Sequence, residues 1–378
     1  MLSPFFKNDQ PIHLERFPVA QVNRSLQAWD SADEYIIDYL QENNLLNENK
    51  NIVIFNDSFG ALTVNLFQHN LQLIHDSYIS QQGIKYNLDS NYIDLDNISF
   101  VDSLTRIDTP VDIVILKLPK SKAYLEYQLQ QIQQCANNDT LIIAAARAKD
   151  IHTSTLNLFE KHLGETKTSL AVKKSRLIFS KLDKSKKTAL PKPKVWPLEK
   201  TDFTISNLAN VFSRDSLDIG GRNLIENLPT VNGAINVADL GCGNGVIGLA
   251  MLAKNPEINL HFYDESFMAI QSTKDNIINN LPNKESQCHF YVNDCLTDVE
   301  SSSFNLVLCN PPFHQQAAVT DHIAWQMFKQ SYNALKKGGE LRIIGNRQLA
   351  YHIKLQRLFG NCETIASNSK FVILSAKK

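Results

Sequence analysis

Short apolar runs recur along this chain, separated by longer stretches in which apolar positions return every three or four residues. Short runs of this kind read as strands and the longer period reads as helix. In the second half the pattern predicts strands at Asn236–Leu240, Asn259–Tyr263, Gln287–Val292, Asn305–Cys309 and Glu340–Gly345, with helical patterns between them such as Asp321–Leu335. The chain closes on two runs, Glu363–Ala366 and Phe371–Ser375, joined by a short polar turn. That is a hairpin, and it adds an antiparallel strand to a parallel sheet. Regular alternation of strand and helix predicts an α/β fold.

The two halves repeat one pattern. LQAWDSADEYIIDYL (26–40) matches SLDIGGRNLIENL (216–228), with Asp30 on Asp218 and Leu40 on Leu228. IVIFNDSFGAL (52–62) matches VADLGCGNGVI (237–247), and the segment from Leu71 matches that from Leu260, with Asp76 on Asp264. VDIVILKLPK (111–120) matches FNLVLCNPPF, setting Lys117 on Asn310 and Pro119 on Pro312. RLIFSKL (176–182) matches FVILSAK near the C-terminus. Five segments in the same order imply two copies of one fold.

Length agrees with this, since 378 residues exceed one ordinary core. Between the copies, Lys181–Pro197 holds six lysines, one acid and three prolines. Prolines forbid a continuous helix and favour an extended path. The expected organisation is residues 1–182, a basic linker at 183–197, and residues 198–378. The net charge of −1 gives no global sign of nucleic-acid binding, although a neutral sum can hide a local basic patch. No apolar run is long enough to span a bilayer, and MLSPFFKNDQ is no signal peptide. Cys135, Cys242, Cys288, Cys295, Cys309 and Cys362 form no CxxC pair, which predicts reduced thiols in a cytoplasmic protein and no metal site.

Chemistry concentrates in the second half. In VADLGCGNGVIGLA an apolar strand runs into Gly241, Gly243 and Gly245 and then an apolar helix. Such glycines permit a tight turn and let backbone N–H groups approach a ligand. The third glycine comes one residue too early for a dinucleotide fingerprint. With Asp239, the segment resembles motif I of class I methyltransferases, which binds the methionine end of S-adenosylmethionine. Asp264 ends the next strand, 21 residues after Gly243, a spacing suited to ribose hydroxyls. The alternative for Asp264 is a helix cap. Asp294 ends the third strand, where this class contacts the adenine amino group, with Asp298 as a rival.

Asn310-Pro311-Pro312-Phe313 follows the strand FNLVLC and is the most specific signal. An sp² nitrogen is a poor nucleophile because its lone pair is delocalised. Two acceptors, the Asn310 side-chain oxygen and the Pro311 carbonyl, hold its N–H groups and direct the lone pair toward a methyl sulfonium. Consecutive prolines fix that carbonyl's aim. Asn310 also borders the cofactor, and Phe313 offers a face on which a planar base stacks. Upstream, FSRDSLDIGGRNL places Phe212, Arg214 and Asp218 as candidates to close over cofactor and substrate, against a plain N-capped helix entrance. These residues predict a nitrogen methyltransferase, with adenine N6, guanine N2 and protein glutamine all open as acceptors.

NPPFH, DLGCGNG, FSRDSLDIGGRNL and the N-terminal RFP…LQAWDSADEYII together resemble the RlmG/RsmC family of bacterial ribosomal RNA (guanine-N2)-methyltransferases. The resemblance covers essentially the whole chain. LQAWDSADEY and GNCETIASNSKFVILSAKK are closer to its large-subunit branch. It implies two tandem class I (Rossmann-like) methyltransferase domains, S-adenosylmethionine as cofactor, and a guanine of ribosomal RNA as acceptor, naked or in an assembling subunit. The duplication, standing in for a dimer, predicts a monomer. A silent RNA-binding assembly factor is the alternative of another class, and intact GCGNG and NPPF motifs argue against it. The first copy has NDSFG for GCGNG and Lys117-Leu118-Pro119-Lys120 for NPPF. It has lost the cofactor loop and the amide acceptor, and it places Lys117, Lys120 and Lys122 at the expected mouth. This predicts a degenerate domain that positions RNA through phosphates.

Overall fold

The computed structural model describes residues 3–7, 10–19, 26–186, 189–312 and 317–378. They divide into two compact units, Met1–Lys192 and Pro193–Lys378.

In the first unit β1 (Phe6–Lys7) and β2 (Gln10–Pro11) form a small antiparallel pair. Next comes α1 (Ser31–Glu42), whose start is fixed by a capping box. The Asp30 carboxylate accepts from the Ala32 and Asp33 N–H groups, and the Asp33 carboxylate accepts from the Asp30 N–H. The chain then alternates through β3 (Asn51–Phe55), α2 (Ala61–Leu66), β4 (Asn70–His75), α3 (Tyr78–Ser90) and β5 (Ile98–Asp102). It continues with β6 (Ile113–Lys117), α4 (Lys122–Cys135), β7 (Leu141–Arg147), α5 (Thr153–His162), β8 (Thr166–Thr168) and β9 (Ser175–Ser180). The sheet order is β5-β4-β3-β6-β7-β9-β8. The first five strands are parallel, and β9 runs antiparallel to both β7 and β8.

In the second unit β10 (Lys194–Pro197) pairs antiparallel with β11 (Thr204–Asn207). The last four residues of the expected linker are thus a strand of this unit. Trp196 anchors that strand by burial. After α6 (Ile219–Glu226) come β12 (Asn236–Leu240), α7 (Val246–Lys254), β13 (Asn259–Asp264), α8 (Phe267–Asn280) and β14 (Cys288–Val292). The unit ends with β15 (Phe304–Cys309), α9 (Ala317–Ala334), β16 (Leu335–Asn346), α10 (Tyr351–Phe359), β17 (Glu363–Ser367) and β18 (Phe371–Lys377). Its order, β14-β13-β12-β15-β16-β18-β17, repeats that of the first unit strand for strand. Each central sheet carries an apolar cluster on either face, as both-sided cover requires.

The duplication extends to individual hydrogen bonds. Asn276 and Asn280, one turn apart on α8, grip the backbone of β11: Asn276 at Ser206 and Asn280 at Thr204, each through both donor and acceptor. Asn87 and its successor Asn91 grip Glu15 and His13 in the same way. Asn276 also donates to the Asn244 carbonyl, and Asn87 to the Phe59 carbonyl.

Sheet register corrects one pairing of the repeat. Leu71 and Leu260 occupy the same place beside the central strands, so His75 falls on Asp264 and Asp76 on Glu265. Ser77 and Ser266, the next pair, both cap the following helix. At the position of Asp264 the first unit therefore carries no carboxylate. It carries an imidazole held neutral by burial, its pKa pushed down to about 4.

Candidate active site

Four adjacent parallel strands, β14, β13, β12 and β15, bring the motifs together at their C-terminal ends, where open α/β sheets bind ligands. The glycine loop leaves β12. Gly241, Gly243 and Gly245 all have left-handed backbone, with φ of 71°, 56° and 74°. At two of them the surrounding space is informative as well. A Cβ on Gly245 would lie 2.5 Å from Thr273 Cγ2, so the loop could not close onto α8. A Cβ on Gly243 would meet nothing within 4 Å, which marks the open side of the cradle.

Carboxylates hold this loop. Asp239 Oδ2 accepts from the Gly248 N–H at 2.8 Å, tying β12 to α7. Its other oxygen is buried and has no partner among the described residues. Burial first, and then the nearby Asp264 carboxylate, raise the Asp239 pKa to about 7 despite the Gly248 bond. Asp264 Oδ2 accepts from the Gly243 N–H at 2.9 Å, and Oδ1 from the Ser266 N–H at 3.0 Å. Asp264 thus both supports the loop and stands at the strand end, while Ser266 is the cap of α8. Asp294 Oδ1 accepts from Gln326 Nε2 at 3.0 Å, which ties the loop after β14 to α9. Its rival Asp298 lies farther along that loop, exposed and with left-handed backbone.

Asn310 follows β15, beside the end of β12, where Cys309 pairs with Leu240. Its Oδ1 is buried and has no hydrogen-bond partner among the described residues. An unsatisfied buried acceptor of this kind costs about 1–3 kcal/mol. A donor brought by a ligand would recover that energy. Pro311 is buried and Pro312 exposed, whereas Phe313 lies outside the described residues. Upstream, Phe212 is 52% exposed. Arg214 pairs with Asp215 at 3.2 Å, its carbonyl accepts from Trp196 Nε1, and its buried Nε lacks a partner among the described residues. Asp218 is occupied as the N-cap of α6, bonding the Gly221 N–H.

One support of the site escapes the sequence reading. Asn244, inside the glycine loop, donates to Asn207 at the end of β11, and its carbonyl is held by Asn276. The asparagine ladder on α8, every fourth residue, is the signal that points to it.

In the first unit the corresponding place is filled. Lys117 stands where Asn310 stands, but it is not at an open mouth. Its ammonium donates to Asp30 at 2.8 Å and to Asp33 at 2.5 Å, and its side chain is only 15% exposed. Burial drives the lysine toward neutrality, and the two carboxylates more than reverse it, raising its pKa. Burial raises Asp33 to about 6 against the pull of Lys117. The capping-box acids of α1 converge on the end of β6, and a lysine buried between them is spent there. Lys120 and Lys122 are exposed, with Lys122 bonding Ser154 at 2.9 Å. The loop job of Asp239 has moved to Asp57, whose carboxylate accepts from the Gly60 and Thr63 N–H groups.

Comparison with known proteins finds a separate family model for each unit. Residues 3–184 match the model of the RLMG N-terminal domain, and residues 202–375 match that of the methyltransferase small domain. The chain is 56% identical to the ribosomal RNA large subunit methyltransferase G of Colwellia psychrerythraea, covering 100% of both chains. It is 54% identical to that of Pseudoalteromonas translucida, covering 98% of this chain and 97% of the relative. Among solved structures, the fold is similar to a complex described as the T. thermophilus 16S rRNA N2 G1207 methyltransferase (RsmC) with AdoMet and guanosine. The TM-score is 0.75 at 16% identity, over 100% of this chain and 98% of that one. The chain belongs to the ribosomal RNA large subunit methyltransferase G family.

Proposed function

We propose that the second unit transfers a methyl group from S-adenosylmethionine to the exocyclic N2 of a guanine in large-subunit ribosomal RNA. Family membership supports the RNA and the reaction class. The observation that carries the acceptor chemistry is the buried, unpartnered Oδ1 of Asn310 at the end of β15. The cofactor suits the residues present: a glycine cradle open at Gly243, a second orphaned acceptor on Asp239, and Asp264 and Asp294 at successive strand ends. When bound, S-adenosylmethionine supplies a methyl group activated by a sulfonium.

Asn310 Oδ1 accepts one N–H of the guanine amino group, and the Pro311 carbonyl accepts the other. Holding both hydrogens out of the ring plane takes the nitrogen lone pair out of conjugation with the ring, so it is localised toward the methyl donor. Loss of a proton after transfer restores the neutral amine, and no strong base is needed. Phe313 stacks on the base, and Phe212 and Arg214 border it. In the first unit Lys120 and Lys122 engage RNA phosphates. The protein works in the cytoplasm as a monomer, its internal duplication replacing a second subunit, on naked RNA or an assembling particle.

The test is methyl transfer to ribosomal RNA taken from cells lacking the protein, with mass mapping of the product. One N2-methylguanine in large-subunit RNA is expected. A mark on small-subunit RNA, on another atom, or nowhere would contradict this assignment.

A further inference from the structure

The connection from β14 to β15, residues 293–303, contains no helix. Where a crossover helix would lie on the sheet, part of its face is bare. Helix α9 covers β12 and β15, where Ala238 and Val307 join its cluster. Toward the β14 edge the same face presents rings. His261 stacks on His289 with centroids 4.6 Å apart, and Tyr263 stacks on Tyr291 at 4.7 Å. His261 and Tyr291 are within 5° of parallel, and Phe304 meets His261 and Tyr263 edge-on. Tyr291 is 39% exposed and His289 is exposed.

A cavity of about 670 Å³ opens over His261, Tyr263 and Tyr291, walled by Phe304 and the 293–303 connection. Its lining includes none of the three loop glycines, nor Asp264, Asp294 or Asn310, so it is distinct from the candidate active site. Burial, then His289, hold the His261 pKa down at about 4, so this imidazole is uncharged at neutral pH. Asp298 and Glu300 line the rim and are exposed. Parallel rings as far apart as their strands stand on edge and face one another, so the pile ends on the outer ring face of Tyr291 at the edge strand β14. An exposed ring face with carboxylates beside it repels phosphate and suits a planar base whose edge carries amino hydrogens.

The first unit shows that the fold does not require this feature. Register places Gln72, Ile74, Ser99, Val101 and Val111 at the positions of His261, Tyr263, His289, Tyr291 and Phe304. There Gln72 binds the crossover backbone at Asp108 through both donor and acceptor, closing the face with the chain's own atoms.

We propose that the open end of the ring pile on β13 and β14, the outer face of Tyr291, is a second nucleobase site, which stacks an unpaired adenine, guanine or cytosine of the RNA substrate other than the methylated guanine. This rests on the reading of the chain as an RNA methyltransferase. Each stacked base is typically worth a five- to hundredfold change in affinity. Tyr291→Ala in the full chain is therefore expected to raise KM for ribosomal RNA, and the Kd of an RNA fragment bearing the target, about tenfold. The maximal rate and S-adenosylmethionine affinity stay unchanged. Tyr291→Phe keeps the ring and behaves as wild type. Ultraviolet cross-linking of the unaltered protein to its RNA, mapped by mass spectrometry, is expected to mark Tyr291, His289 or His261. That measurement does not depend on how any variant folds. RNA affinity and KM within twofold of wild type in Tyr291→Ala, or cross-links confined to other surfaces, overturn the proposal and leave this face to a protein partner. Absence of RNA methylation by the wild type would instead sink the functional reading itself.

Discussion

The ends of β6 and β15 occupy the same place in two sheets of identical strand order, and they are chemically opposite. At β15 stands a neutral amide, its oxygen buried and unpartnered among the described residues. At β6 a lysine is buried between two carboxylates that satisfy it. The glycine loops differ in parallel. After β12 the loop is open at Gly243 and braced by carboxylates on the strands, whereas after β3 the carboxylate of Asp57 has entered the loop itself. The second unit keeps unsatisfied groups and open space at this place, and the first unit fills the equivalent place with its own side chains. The comparison thus separates what this fold needs to stand from what it needs to react.

The largest effect that probes this comparison is on stability. Lys117→Met removes the ammonium from a largely buried pair with Asp33, which the 57% exposed Asp30 also joins, and with solvent screening at Asp30 this should cost about 2–3 kcal/mol at pH 8. The loss should shrink at pH 5. Asp33 has a folded pKa of about 6 against an ordinary 3.8. A raised acid contributes stability below 3.8 and loses it as pH rises through 6. Without Lys117 that pKa climbs further, so at pH 5 the carboxyl takes up a proton in place of the missing cation. Thermal unfolding at both pH values checks this, and an equal loss at each would count against the triad. Cofactor affinity should not move.

Next is the loop pair. Gly245→Ala forces a Cβ onto Thr273 at a left-handed position and should weaken S-adenosylmethionine binding about a hundredfold by displacing the cradle. Gly60→Ala, at the equivalent position with φ of 89°, should cost about 1–2 kcal/mol of stability and leave binding intact. Calorimetric titration of both variants tests the asymmetry, and equal loss of binding would end it. The smallest effect is on RNA. Lys120→Ala with Lys122→Ala should weaken RNA binding a few-fold and flatten its salt dependence by about one unit for each phosphate no longer neutralised. An unchanged salt slope would exclude these lysines from the interface.

Much of this architecture is legible in the chain because it depends on local pattern. Strands such as Asn236–Leu240 are short apolar runs, and the loop of Gly241, Gly243 and Gly245 needs residues that few other positions tolerate. Lys117 misleads because its partners, Asp30 and Asp33, lie more than 80 residues away in sequence. A lysine at a strand end looks the same whether it meets phosphate or a buried carboxylate. The pairing of Asp76 with Asp264 slips by one residue because both segments carry an acid near a serine, and only strand register distinguishes them. The rings of β13 and β14 have a period of two in sequence, but whether the following connection closes over them, as Gln72 and Asp108 close the first unit, is decided by contacts distant in sequence.

The central claim is that the second unit alone performs transfer and that Asn310 aims the acceptor nitrogen. Single-turnover methylation of unmethylated ribosomal RNA by Asn310→Ala tests it most directly, with cofactor affinity measured on the same preparation. Removing one oriented hydrogen-bonding group from a transition state commonly costs about 10²–10³ in rate. A loss of that size with S-adenosylmethionine binding unchanged is the predicted result. Transfer at the wild-type rate would contradict the account.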